Sequence, residues 1–285
     1  MVIPNHNMDI ATEHPTFSLL MSVYKNEQPL FLKASLDSIV AQTIQPDQVV
    51  IVKDGPLTPE LEAVLESYHQ IWGERYKLIS LPSNQGLGAA LNEGTKYVTS
   101  EWIARMDSDD IAVPDRFEIQ LDVIRNHPEV ALIGGQVDEF AIAPTETIGQ
   151  RSVPETDREI RKFLKFRNPF NHPTVMVKRS TLTTVGGYQS DGKIEDYFLW
   201  ARILAQGEIG VNVPQVLVHM RVGSGMYSRR GDWGNLKHIM RLRHFMRVQG
   251  FISYSEEVTG CLMQVGNILI PQYLRKFIYQ TVLHK

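Results

Sequence analysis

Residues Val49-Val50-Ile51-Val52-Lys53-Asp54-Gly55-Pro56 decide the fold class. Four apolar residues follow one another without a polar break and stop at a turn signal. A strand with one wet face alternates apolar and polar residues, so this short unbroken run reads as a strand covered on both faces. The flanks repeat the theme. Upstream, Phe17 to Tyr24 reads as a strand and Leu30 to Gln42 as a helix, with Leu32, Leu36, Ile39 and Val40 on its apolar side. Downstream, a helix is expected from near Thr58 to Gln70, a strand from Leu78 to Leu81, a helix from Gly88 to Val98 and a strand from Trp102 to Met106. Strand–helix units in series predict an α/β chain with a mostly parallel central sheet and helices on both faces. Ligands of such sheets sit at the carboxyl ends of the strands. That rule selects Tyr24-Lys25-Asn26-Glu27, Lys53-Asp54-Gly55, Asn84-Gln85-Gly86 and Asp107-Ser108-Asp109-Asp110, all expected along one edge.

A chain of 285 residues, 43% hydrophobic and 21% charged, has the apolar mass for a buried core, which excludes disorder over most of its length. No apolar run approaches the ~18 residues of a membrane span, and the stretch Met1 to Pro15 lacks the apolar core of a signal peptide. Cys261 is the single cysteine, which removes intramolecular disulfides and cysteine metal clusters and agrees with a reducing, cytoplasmic setting. Charge is uneven beneath a net of −3: from Met220 onward ten Lys/Arg face three Asp/Glu, so the tail is +7 and residues 1–219 are −10. A basic tail on an acidic body suggests an anionic surface as partner, and the acidic body argues against nucleic acid.

Asp107-Ser108-Asp109-Asp110 holds three carboxylates on a tight turn, where mutual repulsion is relieved by a hard divalent cation such as Mg²⁺ or Mn²⁺ or by solvent alone around a helix-capping turn. Asn84-Gln85-Gly86-Leu87-Gly88 opens a helix, but Leu91 occupies the third glycine position of a dinucleotide fingerprint, which argues against a nicotinamide or flavin site. Its glycines still allow close approach of a ligand, and the helix start favours negative charge. Glu195 and Asp196 lie in the first turn of a helix whose Phe198, Leu199, Ile203 and Leu204 point inward; they are either a catalytic base or simple charge–dipole stabilisation. His172 and His219 are isolated and read as structural.

Together these segments resemble the family 2 glycosyltransferases of the GT-A fold, over roughly Phe17 to Arg221. Phe17 to Glu27 looks like the family's opening strand and turn, Ser35 to Ile39 with Gln42-Thr43 its first helix, and Val50 to Gly55 its second strand with the Asp-Asp-Gly-Ser turn. Asn84-Gln85-Gly86 with Ala89, Ala90 and Asn92 resembles the third segment, Asp107-Ser108-Asp109 the metal motif, and Pro114, Arg116 and Gln120 the continuation in bacterial members. Glu195-Asp196 with Trp200 is similar to the acceptor-side motif. The resemblance implies a nucleotide-diphosphate-sugar site lined by Tyr24, Asn26, Glu27, Asn84 and Gly86, with Asp54 at the uracil, Asp107 at the ribose, and Mn²⁺ or Mg²⁺ on Asp109 with Asp107. It implies Asp196 as catalytic base, Glu195 beside it, and inverting transfer to a saccharide acceptor, lipid-diphosphate-linked, in bacterial surface-polysaccharide synthesis such as O-antigen, capsule or exopolysaccharide. Lys53 and Pro56 depart from the family pattern at its first aspartate and its serine.

The expected organisation is an arm over residues 1–16, the GT-A domain over 17–221 and a basic amphipathic helical extension over 222–285. In the extension, Leu236, Ile239, Met240 and Met246 form one stripe, with Lys237, Arg241 and His244 opposite and a helix stop at Gly250. A second apolar–basic stretch runs from Ile268 to Lys285. Such helices either lie on the inner face of the cell membrane or pack back on the domain. Two competing readings are a sugar-phosphate nucleotidyltransferase, opposed by Tyr24-Lys25-Asn26-Glu27 where a glycine-rich basic loop belongs, and a non-catalytic saccharide- or nucleotide-binding relative, opposed by the presence of both acidic motifs.

Overall fold

Strand β1, Phe17–Val23, feeds two cores at once: Phe17, Leu19, Met21 and Val23 pack on one face of the sheet and Leu20 on the other. That division is the period of two in a fully buried strand. A computed structural model of the chain describes residues 14–189, 192, 194–223 and 233–269. Its further strands are β2 Gln48–Lys53, β3 Tyr76–Ser80, β4 Trp102–Met106, β5 Ile111–Ala112, β6 Val130–Phe140, β7 Thr147–Arg151, β8 Met176–Lys178 and β9 Ile209–Arg221. The helices are α1 Pro29–Val40, α2 Pro59–Trp72, α3 Leu87–Thr95, α4 Arg116–Asn126, α5 Asp157–Phe163, α6 Arg179–Thr184, α7 Glu195–Ala205, α8 Leu236–Val248 and α9 Tyr254–Leu269.

The sheet runs β3-β2-β1-β4-β8-β6-β9-β5, with β7 on β6. From β3 to β4 every pairing is parallel, as the strand–helix series predicts. Beyond β4 the sheet is mixed: β8 runs antiparallel to β4 and β6, and β5 antiparallel to β9. The Ile111↔His219 pairing brings the end of β9 back onto the turn after β4.

α1 departs from its expected face. Leu32, Leu36 and Ile39 are buried, but Val40 is exposed, and Ser35 and Ser38 are buried in its stead. The serines are there because this helix meets backbone: Ser35 Oγ donates to the Asp107 carbonyl at 2.9 Å and Ser38 Oγ to the Ser35 carbonyl at 2.6 Å. α3 lies so close to the sheet that a Cβ at Gly94 would stand 2.5 Å from Leu20 Cδ1 and 2.7 Å from Val52 Cγ2. Gly94→Ala is therefore expected to destabilise by ~1–3 kcal/mol, overpacking outweighing the ~0.5–1 kcal/mol of improved helix propensity. A urea melt should show a lower midpoint at unchanged slope; a midpoint at or above that of the parent would contradict the close contact.

α8 is turned relative to its expected stripe. Leu242 and Met246 are buried while Met240 is half exposed, because Phe245 packs edge-on against Phe198 of α7 at 5.2 Å between centroids. Leu242, Met246 and Ile252 thus join the buried cluster that holds Leu199 and Trp200, which is the packed alternative for this helix. Most of the stretch Ile268 to Lys285 and most of the arm over 1–16 lie outside the described residues.

Candidate active site

Four strand ends and one returning strand meet in a cleft of about 800 Å³. β1 delivers Tyr24, Asn26 and Glu27, and β2 delivers Asp54. The turn between β3 and α3 delivers Asn84 and Gly86, and β4 delivers Asp107 and Asp109. All eight residues expected at the nucleotide and metal therefore line one cavity.

Asp54 is buried, and its carboxylate accepts from the Gln85 amide at 2.7 Å, the Asn84 side-chain amide at 2.9 Å and the Gly86 amide at 3.0 Å. A carboxylate has about four lone-pair sites, so most of its capacity goes into shaping the turn that presents Asn84 and Gly86. The neighbouring Gly55 sits at φ +87, and a Cβ there would come within 2.6 Å of the Asn84 amide nitrogen, so glycine alone fits. Lys53, the departure from the family pattern, turns its ammonium to Glu62 of α2 at 3.0 Å, and Pro56 is exposed.

The β4 turn is built from reciprocal contacts. Arg105, 2% exposed, forks its two terminal guanidinium nitrogens onto the two carboxylate oxygens of Asp107. Ser108 Oγ donates to Glu27 Oε2 at 2.6 Å, locking the β1 turn to the β4 turn. Beneath them Arg116 donates to the Arg105 carbonyl at 2.7 Å, and burial lowers its guanidinium to about 9; Gln120 donates to the Thr174 carbonyl at 2.8 Å. Asp110 Oδ1 accepts from the Arg221 amide at 2.8 Å, and the Arg221 guanidinium donates to the Asp109 carbonyl at 3.2 Å. That guanidinium lies 3.8 Å from the Phe31 ring centroid and 4.5 Å from that of Phe140, so two rings hold a cation against the acidic turn.

The donor set suits a hard divalent cation. It is all carboxylate oxygen, buried Asp110 Oδ2 has no hydrogen-bond partner, and burial with neighbouring Asp107 and Glu27 holds the Asp109 carboxyl well above the ordinary range. A cluster short of positive charge is what such an ion relieves. Among the described residues no group of three or more side chains forms a closed metal cage. An ion held by one or two carboxylates, completed by phosphate and water, needs none.

Glu195 and Asp196 stand outside the cleft walls, in the first turn of α7. They adjoin the walls through the start of α3, where a Cβ at Gly88 would lie 3.3 Å from Glu195 Cβ. Asp196 accepts from Asn168 Nδ2 at 2.6 Å and from the Tyr197 amide at 2.7 Å; burial raises its carboxyl, and those two bonds oppose the rise. Glu195 Oε2 is buried without a partner, and burial followed by the adjacent Asp196 pushes its carboxyl up to about 7. The folded protein then binds a proton that the unfolded chain releases near the ordinary glutamate value of 4.5, so stability falls as pH rises from about 4.5 to about 7 and is flat above. Glu195→Gln is expected to gain thermal stability over the parent across that interval. A gap between the two melting temperatures that does not widen between pH 5 and pH 8 would contradict this.

His172 is half-buried against Tyr188, Nε2 to hydroxyl 3.1 Å, and edge-on to Trp200, contacts that suit the structural role expected of it. His219 pairs with Ile111 in the β5–β9 ladder, away from any metal cage among the described residues. The residues that sequence reasoning missed are Arg105, Phe31 and Arg221, while Ser108 and Asp110 belong to the acidic turn it had selected. Arg105 was signalled by a lone charge within the apolar run Trp102 to Met106; Arg221 had no local signal.

Comparison with known proteins adds what geometry does not. The Glycosyl transferase family 2 model matches residues 18–183. The chain is 42% identical over 272 residues to an uncharacterized glycosyltransferase of Haemophilus influenzae, covering 94% of this chain and 99% of that protein. It is 36% identical over 277 residues to the UDP-Gal:α-D-GlcNAc-diphosphoundecaprenol β-1,3-galactosyltransferase of Escherichia coli, covering 97% and 99%. An amylovoran biosynthesis glycosyltransferase of Erwinia amylovora is 36% identical over 93% and 98%. Among solved structures, S. aureus TarS 1-349 with UDP-GlcNAc superposes at TM-score 0.66 with 14% identity, over 94% of this chain and 76% of that one. A Pyrobaculum calidifontis mannosyltransferase in complex with GDP-Man and Mn²⁺ superposes at 0.63 with 16% identity, over 96% and 82%. A family model over more than half of the chain, and relatives matched along nearly their whole length, place this protein among the family 2 glycosyltransferases with the GT-A fold.

Proposed function

We propose that the protein is an inverting, metal-dependent transferase that moves a sugar from a UDP-sugar to a lipid-diphosphate-linked saccharide in bacterial surface-polysaccharide synthesis. The observation that carries the donor half is the convergence of Tyr24, Asn26, Glu27, Asp54, Asn84, Gly86, Asp107 and Asp109 on one cleft. In this reading Asp54 fixes the turn that meets the base and keeps one lone pair toward it, and Asp107, oriented by Arg105, meets the ribose. Asp109 with Asp107 would hold Mn²⁺ or Mg²⁺, whose charge stabilises a leaving diphosphate. Arg221, clamped between Phe31 and Phe140, adds a fixed cation to the same wall. Asp196, oriented by Asn168 and the Tyr197 amide, takes the proton from the acceptor hydroxyl as it attacks the face opposite the leaving group. Displacement from that face inverts the anomeric centre, so an α-linked donor yields a β-linked product. Glu195 is the rival base, favoured by its unpartnered Oε2.

The Escherichia coli relative's name supports UDP as carrier and a diphosphate-linked lipid as acceptor. Among the described residues no helix is long and apolar enough to cross a membrane. α9 exposes Val258, Leu262 and Met263 on a basic extension, which supports peripheral attachment at an anionic inner-membrane face. Calorimetry with UDP, GDP and dTDP in the presence of Mn²⁺ tests the donor half. UDP is expected to bind at least tenfold tighter than the other two; a preference for GDP or dTDP would sink the base assignment.

A further inference from the structure

A second cavity, of about 580 Å³, lies between α7, α8 and α9, within the ~300–1,000 Å³ common for small-molecule sites. Ile194 and Tyr197, which bracket Glu195 and Asp196 in sequence, form one wall, so the cavity begins beside the acceptor-side carboxylates. Leu242 and Met246 of α8, Ile252 and Met263 complete an apolar lining. Two cations stand in this lining: Lys165, 3.5 Å from Glu256, and Arg243, whose guanidinium is held by the carbonyl oxygens of Lys165, Glu256 and Glu257. At the outer end Phe166 is 74% and Met263 70% exposed, so the apolar lining continues onto the surface.

A ligand that reaches from α7's first turn into this space needs a polar head and a flexible apolar tail. Glu256 also lines the cavity and pairs with Lys165, so Arg243, held by carbonyl oxygens alone, leaves the lining one net positive charge, which complements an anionic linker between head and tail. Met246 and Met263 in the lining accommodate a branched chain that has no fixed shape. We propose that this cavity binds the isoprenoid chain of the acceptor, with the linking diphosphate toward Arg243 and Lys165 and the saccharide toward Asp196. The assignment rests on the lipid-linked acceptor of the proposed function and extends it to a site.

Photo-crosslinking of the full chain with benzophenone-tagged farnesyl diphosphate, mapped by mass spectrometry, is the test. Labelling within residues 239–246 and 252–264, competed by untagged farnesyl diphosphate and not by inorganic diphosphate, is expected. Thr259→Trp, which fills the cavity from α9, and Met263→Lys, at its exposed mouth, should each lower the yield at least tenfold while leaving UDP affinity within twofold. Two variants guard against one that fails to fold, which circular dichroism would show. Labelling spread over other segments, no labelling, or undiminished yield in both folded variants would overturn the proposal. Retained labelling with no transfer to any lipid-linked saccharide would sustain the cavity as an isoprenoid site and remove the acceptor reading instead.

Discussion

Asp109→Asn is expected to lower turnover by at least ~10²–10³, the range seen when one preorganised electrostatic stabiliser of a leaving group is removed. Asparagine keeps the size and the backbone contact to Arg221, but it subtracts one charge from a carboxylate cluster that burial has already made eager for a cation. UDP affinity should become insensitive to Mn²⁺ in the variant, whereas in the parent a chelator should weaken it at least tenfold. Thermal stability without metal should not fall, since the change relieves repulsion with Asp107 and Glu27. Calorimetry with and without chelator separates these outcomes. If the parent bound UDP equally well in both, or if Asp109→Asn kept the metal response, the ion would not sit at this turn.

Asp196→Asn is expected to retain UDP affinity and lose transfer by ~10²–10⁴, the usual contribution of a general base. Base and metal serve different substrates, so kcat should carry the loss and donor binding should not. Asparagine also inverts one hydrogen bond, because its amide nitrogen can no longer accept from Asn168 or from the Tyr197 amide. Glu195→Gln should lose less. Near-normal transfer by Asp196→Asn with a dead Glu195→Gln would move the base one residue back, to the carboxyl whose Oε2 has no partner. Normal rates in both variants and in the double variant would remove the pair from the mechanism.

The strand ends were legible because their signals are local. An apolar run, a turn residue and the rule that ligands meet the carboxyl edge were enough to gather Tyr24 through Asp109, which the fold brings to one cleft. What sequence could not supply were contacts made by chain reversal. Arg221 reaches Asp109 only because β9 runs antiparallel to β5, a pairing with no marker near either residue. Nor does a carboxylate at a strand end reveal how its lone pairs are shared: Asp54 reads as a base contact, while three protein donors already occupy it. In α8 the apolar residues outnumber one stripe, and periodicity picked the face of Leu236, Ile239, Met240 and Met246; Phe198 of α7 instead draws in Phe245, which buries Leu242 with Met246 and leaves Met240 half exposed. α1 shows the converse, with serines buried where helix meets the Asp107 turn, polar groups that a hydrophobic count assigns to solvent.

The most direct measurement incubates the full chain and Mn²⁺ with a panel of nucleotide sugars and a synthetic lipid-diphosphate saccharide, and reads product mass by spectrometry and anomeric configuration by proton NMR coupling. Consumption of an α-linked UDP-sugar, with one added hexose or N-acetylhexosamine in β linkage, is the predicted result. An α-linked product, or intact acceptor with every nucleotide sugar at enzyme concentrations that bind UDP, would contradict the account.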